Sequence, residues 1–326
     1  MRFQIRDEEN PIQGLLLRAA AEKGELSIPA LRALSPLSDK AQVLVDKAVV
    51  NVGLQRLVIA ADLLSSGLTF PLTDPLSVTE VEWEAISKVG GAQRTMSPSA
   101  RGENQLPDRI IHRVPIFCTT DDFSIGIRTL KMSQRVGTPI DTTLVEQATR
   151  RVNEAIEDSV INGAGLVVNG YSVPGLLNAP NAATFSLTAP WQTATGVQIF
   201  NDTETMIGKL QLNLKFGPYN MYVGTLIGNA LDADYSVLNA QGLSIKERLL
   251  KIGVLNSIKI ADQMPSTQVL LVQMTNDVVE MISGQPPTVI PWTSLDGFTL
   301  HWLVLAIMVP RVRSDYSGNS GICIGS

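Results

Sequence analysis

The most regular pattern of apolar and polar positions lies near the middle of the chain and predicts a long amphipathic helix. Apolar or small residues recur there with the spacing of one helix face: Val145, Ala148, Val152, Ala155, Ile156 and Val160. Thr138 and Pro139 suit the start of a helix, and the Asn162-Gly163 pair suits its end. We therefore predict a helix over residues 139–162, roughly 36 Å long at the usual rise per residue. The alternative is an ordinary surface helix of a globular enzyme.

A second pattern alternates with period two and predicts a β-hairpin. Along residues 77–87 the apolar face holds Val81, Trp83 and Ala85, and the acidic face holds Glu80, Glu82 and Glu84. A turn-rich tip over residues 97–109 leads to a second extended run over residues 110–119. Together these segments predict a hairpin whose arms each reach roughly 35 Å.

A hairpin of this length needs a surface to lie on. An isolated two-stranded ribbon is at best marginally stable in water. No stretch beside it in the sequence supplies such a surface. We therefore expect the hairpin to lie across another molecule, and the alternative is a hairpin folded back on its own domain.

The rest of the chain indicates shorter helices and strands, and hence an α+β protein. Helices are predicted over residues 38–64, 199–214 and 244–252, the first ended by Gly67 and the last capped by Ser244 with Glu247. Strands are predicted over residues 221–226, 259–260, 269–274, 278–282, 298–309 and 321–324. Residues 165–181 are predicted to form a loop.

Composition narrows the class of function. The chain has 326 residues, of which 44% are hydrophobic and only 17% are charged. Such a chain has either a large core or much surface that partners cover. The net charge of −5 argues against a protein that clamps nucleic acid, because that affinity comes from Lys and Arg neutralising phosphates. A surface that merely faces nucleic acid remains compatible with this charge.

The candidate chemical groups do not form a reactive site. His112 and His301 each stand alone, and a packed or surface histidine is expected at both positions. Cys118 and Cys323 lack metal-ligand spacing and are expected to be buried, reduced thiols. Three glycines, at positions 163, 165 and 170, mimic a dinucleotide-binding loop, but they follow a predicted helix instead of a strand. We therefore predict no catalytic residue, no cofactor and no metal site.

Two apolar runs do not qualify as membrane spans. Residues 52–72 contain Arg56 and Asp62, and residues 300–310 are far shorter than the ~20 residues that a spanning helix needs. No membrane partner is predicted.

An ordered set of short segments resembles one known family. The segments are DLLSSGLTFPL (62–72), ARGEN (100–104), GYSVPGLLNAPN (170–181), VLLVQMTNDVVEMISG (269–284) and LAIMVPRVRSDYSGNSGI (305–322). In this order the chain resembles the major capsid proteins of tailed phages, which have the HK-97-like fold, and especially the branch near the encapsulin shell proteins.

The resemblance implies a particular α+β layout, the HK-97-like capsid fold. In that fold an N-terminal arm (N-arm) leads to an extended E-loop β-hairpin, a peripheral domain with a long spine helix, and an axial domain. The implied boundaries are 1–66 for the N-terminal arm and helix, 67–119 for the E-loop region, 120–195 for the peripheral domain with its spine helix at 139–162, 196–297 for the axial domain, and 298–326 for a returning strand and C-terminal segment.

The resemblance also implies a function. The expected protein is the major capsid protein of a tailed double-stranded DNA phage, which self-assembles through pentamers and hexamers into an icosahedral shell around the genome. Implied partners are other copies, double-stranded DNA bound without sequence specificity, a portal, and separate scaffolding or decoration proteins. The implied location is the virion, with assembly in the host cytoplasm. The alternatives are an encapsulin-type nanocompartment shell and a cytosolic α/β enzyme.

Charged residues of the hairpin are the candidate contacts between subunits. Arginines concentrate there, and we expect them to meet acidic groups of an adjacent subunit and to set register more than affinity. The alternative is that they only provide solubility. The predicted contact residues are Arg94, Arg101, Glu103, Arg109, Arg113, Glu80, Glu82 and Trp83.

The chain departs from some members of the family in two respects. It begins directly with the arm, so we expect no fused scaffolding segment and either a separate scaffolding protein or none. Some relatives join a hairpin lysine covalently to an asparagine. Lys88 is the only lysine between residues 70 and 120 and lies on a predicted strand instead of the tip, so no such bond is expected.

Overall fold

The computed structural model describes residues 57–88, 94, 96, 106–129, 132, 143–235, 242–294 and 297–326. Three predictions fall partly or wholly outside these residues: the N-terminal arm and helix predicted over residues 1–66, of which 1–56 are not described, the hairpin tip with Arg101 and Glu103, and the start of the spine helix at residues 138–142. The described residues divide into two compact units. The first contains Phe117–Ile156 and Ser283–Met308, and the second contains Val58–Ile116, Glu157–Ile282 and Val309–Ser326.

The described residues contain short and long helices together with several sheets, which confirms the α+β class. The helices are α1 (Ile59–Ser65), α2 (Thr143–Asn162), α3 (Gly196–Leu212), α4 (Thr225–Leu231) and α5 (Ile245–Leu249). The strands before α2 are β1 (Thr69–Pro71), β2 (Glu80–Ile86), β3 (Arg109–Pro115) and β4 (Thr119–Gly126). The strands after α2 are β5 (Gly163–Val168), β6 (Tyr171–Pro174), β7 (Ala183–Phe185), β8 (Tyr219–Val223), β9 (Leu255–Ile260), β10 (Val269–Gln273), β11 (Val279–Thr293), β12 (Thr299–Val312) and β13 (Ile322–Gly325).

Helix α2 is the predicted spine helix. It ends at Asn162, and Gly163 follows with a φ of +86°, the left-handed conformation that commonly ends helices. The predicted apolar stripe is buried except at Ala155, which is exposed. The carboxylate of Glu157 is buried on this helix instead. The periodicity therefore predicted the buried face correctly but missed one charged member of it.

The burial of Glu157 is explained by its hydrogen bonds to free backbone N–H groups at the N-terminus of another helix. Its carboxylate accepts hydrogen bonds from the backbone N–H groups of Ile59 (2.7 Å) and Ala60 (3.1 Å) in α1. The N-cap of α1 is Val58, whose side chain cannot supply these bonds. A carboxylate at this position also interacts favourably with the helix dipole. Glu157 thereby fixes α1 in the second unit.

The core of the second unit is a mixed five-stranded sheet with the order β7-β13-β10-β8-β9. Strands β8 and β10 lie inside it, pair antiparallel, and are buried along their whole length. Helices α3 and α5 pack in the same core. Both begin with a capping box, formed by Thr195 with Gln198 and by Ser244 with Glu247. The second of these was predicted.

A four-stranded sheet has the order β1-β11-β12-β4. Strand β11 runs from Val279 to Thr293 and is much longer than the predicted strand over residues 278–282. In the first unit, β12 pairs antiparallel with β4 from Thr299 opposite Gly126 to Ala306 opposite Thr119. Aromatic stacking links β12 to both of its neighbours in the sheet, β4 and β11. The stacked pairs are Phe123 with Trp302 and Trp292 with His301.

Several predictions about local structure were wrong. The helix predicted over residues 38–64 is not continuous among the described residues, because Leu57 and Val58 are not helical and α1 begins at Ile59.

The segment predicted as a loop over residues 165–181 contains the antiparallel pair β5–β6. Its turn is Asn169-Gly170, and both residues have positive φ, as the tightest hairpin turns require. The extended run predicted over residues 110–119 is divided between β3 and β4, which pair with β2 and β12 respectively.

Among the helices of the described segments, none is both long enough and apolar enough to cross a lipid bilayer.

The Glu157 contact predicts a pH-dependent difference in stability. Burial raises the pKa of Glu157, although its hydrogen bonds to Ile59 and Ala60 act in the opposite direction. The folded chain therefore holds this proton more tightly than the unfolded chain does. Its contribution to stability is present below the ordinary glutamate pKa and is lost as the pH rises through the raised pKa.

We expect the unfolding free energy of the wild type, minus that of Glu157→Gln, to fall as the pH rises across this window, because glutamine does not titrate. Urea unfolding of both chains at several pH values measures the difference. A difference that is constant or rises with pH would contradict the burial argument.

Candidate assembly surface

Strands β2 and β3 form the root of the predicted hairpin. They pair antiparallel, with Trp83 opposite His112 and Glu82 opposite Arg113. Val81, Ala85 and Val114 are buried on one face, which confirms the predicted alternation. The rings of Trp83 and His112 stack on the same face with 5.5 Å between centroids. Each arm is seven residues long among the described residues, about 23 Å at the usual rise per residue.

The opposite face of the root carries ion pairs within the hairpin. Arg113 lies 2.7 Å from Glu82, and Arg109 lies 2.9 Å from Glu84. Exposed pairs of this kind typically contribute up to about 1 kcal/mol, so they favour the observed register more than they stabilise the fold. The side chain of Arg94 is exposed. Contact of these residues with another subunit stays a prediction.

The root of the hairpin also packs on its own chain. The guanidinium of Arg113 lies over the ring of Tyr171, 5.5 Å from its centroid, and Asn169 donates a hydrogen bond to Glu80. Tyr171 and Asn169 belong to the β5–β6 hairpin, which was predicted as a loop. For its root, the structure therefore follows the alternative, a hairpin folded back on its own domain.

A buried arginine holds the root from the other side. Arg311 in β12 is only 2% exposed, and its guanidinium lies 4.4 Å from the ring centroid of Phe70 and 5.7 Å from that of Trp83. It pairs with Glu280 in β11, which Arg313 also reaches at 3.0 Å. One charged cluster thus joins β1, β2, β11 and β12.

Sequence reasoning missed this cluster. Its members lie up to 243 residues apart, from Phe70 to Arg313, so no local spacing reveals them. The one available signal is the position of Arg311 just after the strongly apolar strand predicted over residues 298–309, since arginine is almost never fully buried unless it is paired.

The hairpin exposes apolar side chains at the tip end of β2 and β3 and just beyond it. Ile86, Ile110 and Ile111 are between 43% and 53% exposed, and Leu106 is 88% exposed. Their clustering along one ribbon distinguishes them from scattered surface residues. Grouped apolar exposure of this kind is typical of a surface that a partner covers.

A cavity of 360 Å³ lies beside the root, within the second unit. The rings of Trp83, His112 and Tyr171 line it together with Arg113. Trp83 and Arg113 each retain one buried N–H, at Nε1 and Nε respectively, that finds no acceptor. The lining therefore combines aromatic rings with a guanidinium group, and no acidic residue is among the lining residues.

The described residues bring together no cluster of three or more histidine, cysteine or acidic side chains able to hold a metal ion. Both cysteines are free. Cys323 is buried, as predicted, and its burial raises the pKa of the thiol to about 11, which disfavours the reactive thiolate. The prediction of burial is wrong for Cys118, which is exposed.

Comparison with known protein families assigns the chain to one of them. Residues 80–325 match the model of a family of unknown function, DUF6260, so the chain belongs to this family. No curated protein matches the sequence.

Several solved structures share the fold. A virus-like particle from Pyrococcus furiosus is 13% identical, with a TM-score of 0.61 over 86% of this chain and 98% of that chain. The capsid of Myoviridae phage XM1 is 12% identical, with a TM-score of 0.62 over 80% of this chain and 90% of that chain. The capsid of a native GTA particle is 12% identical, with a TM-score of 0.57 over 82% and 90%.

These similarities confirm the HK-97-like capsid fold. The three similar proteins are shell proteins, and none is described as an enzyme. The fold accounts for the order of a β-hairpin, a long spine helix and a central mixed sheet.

The buried arginine cluster predicts unequal effects of two neighbouring substitutions. Arg311→Ala should lower the free energy of unfolding by about 3 kcal/mol or more, because it leaves the buried Glu280 with one partner and removes the packing on Phe70 and Trp83. Arg313→Ala should cost about 1 kcal/mol, since its side chain is 26% exposed and makes one contact. Urea unfolding measures both. Equal losses would contradict a dominant role for Arg311.

Proposed function

We propose that this protein is the major capsid protein of a tailed double-stranded DNA phage and that it self-assembles into an icosahedral shell. The observation that carries the proposal is a shared fold over 98% of the Pyrococcus furiosus virus-like particle chain and 90% of the phage XM1 capsid chain. The apolar arms of the hairpin support it, because a shell provides neighbours that cover them.

The proposed mechanism of assembly is geometric. Copies associate in pentamers and hexamers, and each hairpin lies across a neighbouring copy. A standard interface buries about 1,600 Å² in total, and each copy makes several such interfaces. Many moderate contacts then act together and close a stable shell. The N-terminal arm over residues 1–66 adds a further contact between copies.

The remaining parts of the proposal concern layout and partners. The E-loop spans residues 67–119, the peripheral domain spans 120–195 with a C-terminal return at 298–326, and the axial domain spans 196–297. The net charge of −5 suits a shell that encloses DNA without gripping it. A portal and separate scaffolding or decoration proteins complete the particle. The protein works in the virion after assembly in the host cytoplasm.

A second candidate function is the shell of a protein nanocompartment. The near-complete coverage of the Pyrococcus furiosus virus-like particle chain favours it. Both functions require the same closed shell and differ in what the shell contains. The third alternative, a cytosolic α/β enzyme, predicts a small oligomer.

Expression of the full-length chain tests the proposal. We expect particles of megadalton mass in size-exclusion chromatography and closed shells in negative-stain micrographs. Nuclease-protected double-stranded DNA in particles from infected or induced cells would support the phage capsid, whereas an enclosed enzyme without DNA would favour the nanocompartment. A chain that stays a small oligomer at all concentrations would contradict both.

The same assay tests the predicted contact residues of the hairpin. Charge reversal by Arg101→Glu should hinder particle formation without unfolding the chain, because it opposes the expected acidic partner on the neighbouring copy. Lys251→Glu, which reverses an exposed charge outside the hairpin, is the matched control and should assemble normally. Normal assembly of Arg101→Glu would contradict this part of the proposal.

A further inference from the structure

The chain contains two Asn-Gly dipeptides whose local sequences are closely matched. Asn162-Gly163 follows an isoleucine and Asn169-Gly170 follows a valine, so a β-branched residue precedes each of them. Both asparagines are exposed. An asparagine before glycine is prone to attack on its side-chain amide by the next backbone nitrogen, because glycine has no Cβ to hinder the approach. Local sequence alone would make the two positions about equally reactive.

The fold protects the first of these dipeptides. Asn162 ends α2, and its side-chain amide donates a hydrogen bond to the carboxylate of Asp158 (2.7 Å). The carbonyl of Asn162 accepts a hydrogen bond from the side chain of Asn178 (2.8 Å). The backbone nitrogen of Gly163 is closely packed, since a Cβ added to Gly175 would lie 2.2 Å from it. Neither the side chain nor the nitrogen is free to move toward the other.

The fold leaves the second dipeptide open. Asn169 and Gly170 form the two-residue turn between β5 and β6, with φ values of +51° and +84°. Both residues are exposed, and a Cβ added to Gly170 would meet no atom within 4 Å. The N–H of Gly170 meets no hydrogen-bond acceptor among the described residues. Water and hydroxide therefore reach this nitrogen, and the space around it permits the turn to move.

The same turn supports both strands of the hairpin root. The side-chain amide of Asn169 donates a hydrogen bond to Glu80 at the start of β2. Tyr171, which directly follows the turn, lies under the guanidinium of Arg113 in β3. A change in the charge or the backbone length of the turn would act on both contacts.

We propose that Asn169 is a site of spontaneous deamidation, with water as the only co-reactant. The backbone nitrogen of Gly170 loses its proton to hydroxide and forms a bond to Cγ of Asn169, and the side-chain nitrogen takes up a proton and leaves as ammonia. Water then adds to a carbonyl carbon of the resulting cyclic succinimide and breaks its bond to nitrogen. The product is aspartate or isoaspartate. The reaction takes place within one chain and is independent of shell assembly.

Deamidation weakens the support of the hairpin root. Either product replaces the amide donor with a carboxylate beside that of Glu80, and like charges repel each other. Isoaspartate also adds a carbon atom to the backbone of the turn. Because loop length fixes the register of a hairpin, the β5–β6 pair then loses the register that places Tyr171 under Arg113.

Incubation of the purified full-length chain in mildly alkaline buffer, followed by peptide mass spectrometry, tests the reaction. Asn162 is the matched internal control, because both sites are measured in the same sample. Asn169 should convert at least about tenfold faster than Asn162, since displacement from a geometry suited to attack slows a reaction by this much or more. In concentrated urea the two rates should approach each other, because only the fold distinguishes the sites.

Hydrogen–deuterium exchange of the modified chain tests the effect on the root. Anion-exchange chromatography separates the modified chains, which carry an added negative charge. Their amides in β3, β5 and β6 should exchange at least about threefold faster than in the fresh chain, while those of β8 and β10 stay protected. Asn169→Asp supplies a uniform sample of the aspartate product and should show the same direction of change. Asn201→Asp, which adds the same charge at an exposed position of α3, is the matched control and should show none.

The outcomes separate the reaction from its consequence. Equal conversion of Asn162 and Asn169 in the folded chain, or conversion of both only in urea, would overturn the assignment of the site. Faster conversion of Asn169 together with unchanged exchange in the modified chain would overturn its effect on the hairpin root.

Discussion

The buried ion pair between Arg311 and Glu280 is the interaction on which the hairpin root depends. A buried charge is stable only when oppositely charged or polar groups surround it. The strands that carry Arg311 and Glu280 therefore have little freedom to shift relative to each other. The rings of Phe70 and Trp83 flank the guanidinium of Arg311 and extend the constraint to β1 and β2. The ribbon therefore begins from a fixed base on its own chain, although a two-stranded ribbon alone would be only marginally stable.

This base divides the hairpin into two parts with different physical roles. The root packs on its own chain, against the Arg311 cluster on one side and against Tyr171 and Asn169 on the other. The tip end of the two strands and the residues just beyond it expose apolar side chains such as Ile111 and Leu106. A ribbon that is ordered at one end and apolar toward the other suits a contact that forms on assembly.

How much of the structure the sequence predicts depends on how far apart in sequence the interacting residues lie. Helix α2, strand β2 and the capping box at Ser244 follow from spacing over a few residues, and all three are present. The Asn169-Gly170 turn is also a local signal, although residues 165–181 were predicted to form a loop. The Arg311 cluster and the burial of Glu157 arise from residues that are distant in sequence. Periodicity carries no information about them.

Hydrogen–deuterium exchange of the hairpin root tests the central claim most directly. The comparison is between the wild-type chain and Arg311→Ala, under conditions in which neither forms particles. If the cluster holds the ribbon on its own chain, amides of β2 and β3 should exchange at least about tenfold faster in the variant, while those of β8 and β10 stay protected. Unchanged protection of β2 and β3 would contradict the account, because the root would then be stable without its buried charge.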